Sequence, residues 1–375
     1  MGFDAIVIGG GVVGSSVAYH LVSGGAKTLL IDRCDPGRAT DAGAGIISPD
    51  TNTRDPDPWY RFAAKAGAYY PTLVTNLEAE SQTETGFAVC GLLRVAVSRE
   101  ELTVFQEAKR LIFGRQNSGE SQTDLFQISS GEAKVLFPPL GDVLGAIYYL
   151  KAARVDGRML THSLTRSVEN AGLNQMVGSV EKLILDGSSV SGVVVDGEPI
   201  EGRAVGIAGG AWSNAFGEQL GIQIPVEPQR GQIAHLDLKG TDTSNWPIVS
   251  ALRDHYMVPW PDSRVVVGAT RETGSGFGVF TTEDGVKEVL GEAIRVAPGL
   301  KASEVREVRV GLRPLSKDGL PVLGPVPGVE HLFLATGHGP SGLQLGPYSG
   351  KIVAEMMLGR QPEDDLQPFL VERFL

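Results

Sequence analysis

The hydrophobic positions of the first 32 residues predict a strand, a helix and a second strand, in that order. Residues 3–8 (FDAIVI) form a short apolar run rich in β-branched side chains, which is typical of a strand buried on both faces of a parallel sheet. Residues 15–22 (SSVAYHLV) continue a pattern that places apolar side chains on one face of a helix. Residues 27–32 (KTLLID) form a second apolar strand that ends in an acid.

The pattern changes after the second strand. Residues 33–57 are rich in Gly, Asp, Thr and Pro and predict a long loop that faces a ligand, rather than another β–α unit. Helices are then predicted over 59–80 and 100–111, with strands within 87–97. This break in the regular alternation indicates that a second domain is inserted here.

The rest of the chain returns to the first pattern near residue 154 and leaves it again near residue 224. The first part predicts a helix at 157–170 and strands at 175–185, 190–195 and 204–207. Tight Asp-Gly turns at 186–187 and 196–197 favour a small antiparallel meander. The second part predicts strands at 231–238, 255–260, 263–270 and 332–335 and helices at 283–297 and 343–358.

Chain length supports the division into two domains. The chain has 375 residues, more than a single compact core usually covers. The predicted elements assign residues 1–50, 151–215 and 311–375 to a discontinuous first domain, and residues 51–150 and 216–310 to a second. The fold class predicted for the first domain is α/β, and for the second α+β.

Composition excludes several classes of protein. A formal net charge of −11 argues against nucleic-acid binding, because the neutralisation of phosphates needs clustered Lys and Arg. No apolar run reaches the roughly 20 residues of a membrane span, and no secretory signal precedes the first strand, so we expect a cytoplasmic protein. Cys34 and Cys90 give neither a disulfide framework nor a metal-ligand cluster, and no metal site is predicted.

A glycine-rich turn over residues 9–14 (GGGVVG) joins the first strand to the helix. Gly9 permits the tight turn, Gly11 lets the backbone approach a pyrophosphate, and Gly14 lets helix and strand pack closely. Asp32 lies close to where an acid accepts hydrogen bonds from an adenosine ribose. The order of strand, glycines, helix, strand and acid predicts a dinucleotide site rather than a purely structural turn. NAD and FAD both use this arrangement, so the dinucleotide is left open at this point.

Seven short motifs, in order along nearly the whole chain, resemble those of the glycine oxidase and D-amino-acid oxidase family of flavoproteins, the glycine oxidases above all. They are VIGGGVVGSSVAYHL (7–21), TDAGAG (40–45), GIAGGAWS (206–213), VVVGAT (265–270), GLRP (311–314), SKDGLP (316–321) and TGH (336–338). The resemblance implies a GR2-type, Rossmann-like FAD-binding domain and a substrate domain built on a large antiparallel sheet. It also implies noncovalently bound FAD. Relatives that tether the flavin use a cysteine near the last motif, and that region has none here.

The resemblance implies a set of FAD-binding residues. Pyrophosphate contacts would fall on the glycine turn and on residues 40–44, and the adenine would meet the backbone of Val180. The flavin ring would be approached by residues 45–47, by Gly210 and Trp212, and by the turn from residue 338 to residue 343. The full set is Gly9, Gly11, Val12, Val13, Gly14, Asp32, Arg33, Thr40, Asp41, Ala42, Ala44, Gly45, Ile46, Ile47, Val180, Gly210, Trp212, Arg313, His338, Gly339, Pro340, Ser341, Gly342 and Leu343.

Two residues are the candidates for catalysis and substrate binding. Arg313 matches the family's carboxylate-binding arginine, and a guanidinium pairs with a carboxylate through two parallel hydrogen bonds. A surface arginine in an ion pair is the alternative. Tyr256 lies on a strand that the family uses to line the substrate pocket. Its hydroxyl either binds the carboxylate or closes the site, or is satisfied within the sheet. His255 is expected on the opposite face, without a catalytic role.

One departure from the family bears on the substrate. Glycine oxidase carries an arginine two residues after the histidine of the last turn, where this chain has Pro340. His338 itself either hydrogen-bonds the flavin or caps the turn. Ile46 and Ile47 would make this side of the pocket apolar. The sequence therefore does not choose between glycine, an N-methyl or cyclic amino acid and a D-amino acid.

The resemblance implies oxidative deamination of a small amino acid. A hydride would pass from the α-carbon to flavin N5, and water would convert the resulting imine to a 2-keto acid and ammonia or an amine. The expected partners are this substrate and oxygen or another electron acceptor, and a homo-oligomer is left open. The alternatives are FAD-dependent oxidation of a 2-hydroxy acid, a dehydrogenase with another acceptor, an NAD-dependent dehydrogenase and a non-catalytic flavin-binding subunit.

Overall fold

Helices and strands form where the apolar runs of the sequence lie. The computed structural model describes residues 2–53, 57–117 and 124–375, so residues 54–56 of the predicted loop lie outside it. The helices are α1 (Val12–Ser23), α2 (Asp57–Ser81), α3 (Glu101–Asn117), α4 (Ser130–Leu136), α5 (Gly157–Val168), α6 (Gly217–Leu220), α7 (Glu283–Val296) and α8 (Gly342–Met357). The strands are β1 (Phe3–Ile8), β2 (Thr28–Asp32), β3 (Ile46–Ile47), β4 (Ala88–Val89), β5 (Leu92–Ala96), β6 (Leu125–Ile128), β7 (Gly145–Tyr149), β8 (Ala153–Arg154), β9 (Leu173–Val177), β10 (Val180–Asp186), β11 (Ser189–Val195), β12 (Glu198–Ile207), β13 (Val226–Asp237), β14 (Ile248–Ala251), β15 (Tyr256–Trp260), β16 (Arg264–Gly268), β17 (Glu272–Thr273), β18 (Glu304–Ser316), β19 (Val322–Pro325) and β20 (Leu332–Thr336). Short 3-10 helices cover Ala39–Ala42, Glu169–Ala171, Gly210–Phe216, Pro298–Ala302, Gly339–Ser341, Gln367–Phe369 and Val371–Phe374.

The first sheet is built around β1, the apolar strand at the start of the chain. Its order is β10-β11-β12-β1-β2-β9, with β20 beside β12 and β19 beside β20. β1 runs parallel to β2 and β12, and β20 runs parallel to β12. Val7 packs with the core of helices α1, α5 and α8, whereas Ile6 and Ile8 pack with the core beneath the β10–β12 meander. The strand is thus buried on both faces, and the predicted α/β class is confirmed.

One predicted strand is wrong. The sequence predicts a single strand over residues 175–185, but the structure has β9 and β10 there, separated at Gly178. β9 runs parallel to β2, while β10 turns into the antiparallel meander with β11. A Cβ atom on Gly178 would lie 2.7 Å from a methyl group of Val195, so the turn needs this glycine. Apolar periodicity does not signal such a change of partner strand.

The second sheet is large and mostly antiparallel. Its order is β17-β13-β16-β15-β14-β5-β7-β6, with β18 beside β13. Among the described residues of this sheet, β14 and β5 form the one parallel pair of strands. Helix α7 packs against this sheet, with Val289 and Ala293 in its core. This sheet agrees with the architecture that the resemblance implies, in which the substrate domain is built on a large antiparallel sheet.

We propose the division into two domains that the sequence predicts. The first sheet carries the core of residues 1–50, 151–215 and 311–375, and the second sheet carries that of most of residues 82–150 and 227–310. Helix α2, which the sequence assigns to the second domain, packs instead with α1, α5 and α8 in the core of the first sheet. The expected boundary at residue 311 falls inside β18, which pairs with β13 as far as Ser316. This long strand therefore carries the chain from one sheet toward the other.

Candidate cofactor and substrate site

A continuous cavity opens where the parallel strands of the first sheet end. The carboxyl ends of β1, β2, β12 and β20 all reach it, which is where open α/β sheets bind their ligands. Its opposite wall comes from the second sheet, through Gly231, Tyr256, Ala269 and Arg313. Cofactor and substrate candidates therefore share one cavity.

Most of the residues named from the sequence line this cavity. They are Gly9, Gly11, Val12, Val13, Asp32, Arg33, Thr40, Ala42, Ala44, Gly45, Ile46, Val180, Gly210, Trp212, Tyr256, Arg313, His338, Gly339, Pro340, Gly342 and Leu343. Four others lie outside the lining: Gly14, Asp41, Ile47 and Ser341. The structure thus brings together residues from the two ends and the middle of the chain.

The four residues outside the lining have other surroundings. Gly14 lies behind the turn in α1, the Asp41 carboxylate accepts a hydrogen bond from Arg38 Nε (3.0 Å), and Ile47 is buried in the core of the first sheet. The Ser341 N–H donates to the His338 carbonyl oxygen (3.0 Å) and closes the last turn. A direct contact of these four with FAD stays a prediction.

The glycine turn leaves backbone groups open to an anion. Gly9 has φ +107°, and a Cβ atom there would lie 2.4 Å from the Ala208 carbonyl oxygen, so only glycine fits. Gly11 is the N-cap residue of α1 and has no side chain to cap the helix. The helix therefore presents N–H groups and the positive end of its dipole to the cavity. Thr40 Oγ1 accepts the Val12 N–H at 3.0 Å and fixes the loop over this turn.

Asp32, which the sequence predicts to bind the ribose, holds the glycine turn. Its carboxylate accepts the Gly10 N–H through one oxygen and the Cys34 N–H (2.5 Å) through the other. Arg38 lies 3.5 Å away, a partner that the sequence analysis missed. Each oxygen keeps a further lone pair for a ligand hydroxyl.

Trp212 and Arg33 lie near each other in the lining of the cavity. The Arg33 guanidinium carbon lies 5.8 Å from the centroid of the Trp212 ring. Phe277, from the loop after β17, stacks on the same ring at 5.7 Å. A loop of the second sheet therefore reaches across to the first sheet at this point.

His338 is fully enclosed at the last turn. Its Nε2 lies 2.9 Å from Ser349 Oγ, and that hydroxyl donates to the Leu345 carbonyl oxygen at 3.0 Å. Ser349 must therefore accept from the Nε2–H of the histidine. Burial lowers the pKa of His338 to about 4, so the ring is neutral at pH 7. With Pro340 in place of an arginine, positive potential here comes from the backbone at the start of α8.

The burial of His338 makes a pH dependence predictable. The unfolded chain, with a histidine pKa of about 6.5, takes up the proton first as pH falls. The stability linked to this group is complete above pH ~6.5 and is lost as pH falls toward ~4. We expect His338→Gln to flatten the fall in melting temperature between pH 7.5 and 5, measured by differential scanning fluorimetry. Replacing the exposed His162 by Gln is the control; equal slopes in all three proteins would contradict the prediction.

Arg313 lies at the far end of the cavity, across Gly231. A Cβ atom at position 231 would lie 2.5 Å from the guanidinium, so the glycine makes room for the arginine. Arg313 Nη1 donates to the Thr270 carbonyl oxygen at 2.9 Å. Among the described residues, no carboxylate forms an ion pair with it. The guanidinium also forms a hydrogen bond with Tyr256, and its remaining N–H groups are available to a ligand carboxylate.

Tyr256 lies beside this guanidinium. Burial raises the pKa of Tyr256, although Arg313 and Arg271 oppose the rise, so the hydroxyl is protonated at neutral pH and can donate. His255, in contrast, lies 3.4 Å from Glu288 of α7, on the other side of the sheet, as alternation along the strand predicts.

Several lining residues carry no sequence motif and were missed. Among them are Arg38, Gly178, Arg271 and Gln344. Two of these could have been found from their place in the sequence, because Arg271 directly follows the VVVGAT motif and Gln344 follows the last turn. Asp254, near Tyr256 in the chain, is expected from the sequence to be solvated at the edge of the strand; its side chain is 74% exposed and also lines the cavity.

The site fits a bound flavin dinucleotide on two structural grounds. The crowded Gly9 turn leaves a cradle of backbone at the start of α1, which suits a pyrophosphate. Near the last turn, Gln344 Nε2 is buried and finds no hydrogen-bond partner among the described residues, while its Oε1 accepts the Ser48 N–H at 2.9 Å. A buried donor of this kind calls for a polar ligand atom. The described residues form no cluster that could bind a metal ion, and none of their helices is long and apolar enough to cross a bilayer.

Comparison with known proteins agrees with this site. The family described as "DAO: FAD dependent oxidoreductase" matches residues 4–356. "Uncharacterized oxidoreductase YurR" of Bacillus subtilis (strain 168) is 37% identical over 365 residues, covering 97% of both chains. A glycine oxidase of Pseudomonas aeruginosa is 30% identical over 369 residues, again covering 97% of both. The crystal structure of iminodiacetate oxidase (IdaA) from Chelativorans sp. BNC1 is 39% identical, covers 98% of both chains and superposes with a TM-score of 0.92. The chain therefore belongs to the DAO family of FAD-dependent oxidoreductases, as an enzyme of the amino-acid and amine oxidase or dehydrogenase type.

Proposed function

We propose that the protein oxidises the C–N bond of a small amino acid with a free carboxylate. The observation that carries the proposal is Arg313, a guanidinium that lines the cavity and forms no ion pair with a carboxylate among the described residues. Tyr256 beside it supplies a second donor. A guanidinium and a neutral hydroxyl are the groups that orient a carboxylate.

The chain's own residues bind and orient the substrate in this proposal. Thr270 holds one edge of the Arg313 guanidinium, so the arginine keeps one orientation. Positioning of this kind supplies a large part of the rate, because it turns the encounter into an intramolecular step. When bound, FAD accepts the hydride that leaves the α-carbon, and water then hydrolyses the substrate imine to a 2-keto acid and ammonia or an amine. His338 is enclosed and hydrogen-bonded to Ser349, so we assign it no role as a general base.

The relatives narrow the substrate class. Glycine and iminodiacetate, the substrates in the names of the two relatives above, both contain an N–CH2–COO⁻ unit. We infer that the substrate of this protein contains it too. The apolar residues Ile46 and Leu343 line the cavity and suit a small substrate with few polar groups besides amine and carboxylate.

Flavin reduction without oxygen tests this proposal. The FAD-loaded protein is mixed anaerobically with glycine, N-methylglycine, iminodiacetate, D-alanine, proline and glycolate, and the flavin absorbance near 450 nm is followed. Loss of the band with an amine, together with release of a 2-keto acid, supports the proposal. Reduction by glycolate and by none of the amines would favour the alternative, a 2-hydroxy acid oxidase. A second experiment, reoxidation by air, separates an oxidase from a dehydrogenase.

Tyr256→Phe is expected to raise KM for the amino acid about tenfold and to change kcat less. The hydroxyl contributes one hydrogen bond to a charged group, worth about 1.5–3 kcal/mol. Steady-state kinetics measure this split. Tyr148→Phe, which removes a hydroxyl from another strand of the same sheet, is the control. An unchanged KM in Tyr256→Phe would mean that this hydroxyl is satisfied within the sheet.

A further inference from the structure

Two charged side chains at the substrate end of the cavity have no part in the chemistry proposed above. Arg271 follows β16, and Asp254 lies in the turn between β14 and β15; both line the cavity together with Tyr256 and Arg313. Arg271 Nη2 lies 3.6 Å from Asp254 Oδ2, which is beyond hydrogen-bond distance. The two side chains are 44% and 74% exposed. They form a loose ion pair that a ligand can reach.

Arg271 belongs to the same electrostatic environment as the proposed carboxylate clamp. Thr270, whose carbonyl oxygen accepts the hydrogen bond from Arg313, is its neighbour in the chain. The charge of Arg271 contributes to a lowered pKa of Arg313, after the larger effect of burial. Two guanidinium groups therefore face one small space.

The other charges near this space are already paired elsewhere. Glu272 follows Arg271 but binds Arg230 (2.6 Å) and Gln232 (2.7 Å) of β13. Arg94, which attracts Asp254, is itself held by the Thr51 carbonyl oxygen at 3.2 Å. Among the described lining residues, Asp254 is thus the carboxylate that pairs with Arg271. Two cations against one exposed anion leave room for further negative charge.

We propose that Arg271 is a specificity-determining residue that binds a second carboxylate of the substrate, and that Asp254 occupies this position until the substrate displaces it. This inference rests on the proposed function and specifies its substrate class. The class is a dicarboxylic amino acid in which the second carboxylate lies on the amine substituent. Exchange of one carboxylate for another keeps Arg271 paired, while a substrate with one carboxylate leaves the Asp254 pair in place.

Binding of inert anions tests the second carboxylate directly. Glutarate and butyrate share a short carbon chain, have no amine to oxidise, and differ in one carboxylate. We expect the FAD-loaded protein to bind glutarate at least about tenfold more tightly than butyrate, measured by isothermal titration calorimetry. In Arg271→Met, which keeps length and removes charge, glutarate affinity should fall about tenfold and butyrate affinity less than about twofold.

Asp254→Asn tests the displacement. Asp254 has φ +61°, and asparagine tolerates this conformation, so the turn should keep its shape. We expect glutarate to bind several-fold more tightly to Asp254→Asn and butyrate to be little affected. Arg253→Met, which removes a positive charge from the same turn outside the cavity lining, is the matched control.

The outcomes separate this inference from the function on which it rests. Equal changes for both anions in Arg271→Met, or no change for either, would overturn the second-carboxylate site. An unaltered ratio of affinities in Asp254→Asn would overturn the displacement. Arg313→Lys should weaken both anions alike. If it weakens neither, the carboxylate clamp of the proposed function fails, whatever Arg271 does.

Discussion

Arg313→Lys is expected to lower kcat/KM for the amino acid by about 100-fold or more while the protein keeps its FAD. Lysine keeps the positive charge but cannot form two parallel hydrogen bonds with a carboxylate or reach the Thr270 carbonyl oxygen at the same time. Loss of one or two charged hydrogen bonds costs about 3 kcal/mol, and about 1.4 kcal/mol corresponds to a factor of ten. Steady-state kinetics give kcat/KM, and the ratio of flavin to protein absorbance gives the FAD content.

Arg306→Lys is the matched control for this variant. Arg306 lies on the same strand, β18, but forms an exposed ion pair with Asp262 at 2.7 Å. Such pairs contribute about 1 kcal/mol or less, so its kcat/KM should stay within about twofold of the parent. A parental kcat/KM in Arg313→Lys would remove the clamp assignment. Loss of FAD in the same variant would show that the arginine serves the cofactor instead.

Gly14→Ala is expected to abolish stable FAD binding. The new Cβ atom would lie 1.8 Å from the Gly9 carbonyl oxygen, which belongs to backbone and has no side chain to rotate away. This clash is relieved only if helix α1 moves away from β1, and that movement widens the turn that is predicted to bind the pyrophosphate. We expect FAD affinity to fall by at least about 100-fold, which corresponds to about 3 kcal/mol. Titration of the flavin-free protein with FAD, followed by fluorescence quenching, measures it.

Gly114→Ala makes the same chemical change in an exposed helix. No atom lies within 4 Å of a Cβ atom at this position of α3, and alanine favours a helix interior by about 1 kcal/mol over glycine. This variant should bind FAD like the parent and melt at the same or a higher temperature. Circular dichroism of Gly14→Ala distinguishes loss of FAD from loss of fold. A folded Gly14→Ala protein that binds FAD fully would contradict the packing argument.

Local sequence explains why the glycine turn was predictable. Strand, turn, helix and acid occur in one stretch that ends at Asp32, and each has a recognisable pattern. The structure confirms the tight turn at Gly9, which lies against Ala208. It also shows two contacts that the pattern did not predict, from Asp32 to the Gly10 N–H and from Thr40 to the Val12 N–H. Contacts of Asp32 and Thr40 with the dinucleotide stay predictions.

Contacts between distant segments explain what the sequence did not predict. The split between β9 and β10 depends on which strand each segment pairs with, and periodicity is the same for both partners. Asp254 and Arg271 meet because β15 and β16 pair side by side, so neither is marked by its own neighbours. Gln344 is a candidate ligand contact because its buried Nε2 has no hydrogen-bond partner among the described residues, and burial of this kind cannot be read from the sequence.

The shared cavity has a consequence for the stability of the protein as a whole. Its walls come from both sheets, and Phe277 of the second sheet stacks on Trp212 of the first. A ligand in the cavity therefore contacts both sheets and stabilises their packing against each other. By mass action, a ligand at 100 times its Kd adds about 2.7 kcal/mol to the free energy of unfolding. We therefore expect the melting temperature of the protein to rise with the concentration of FAD.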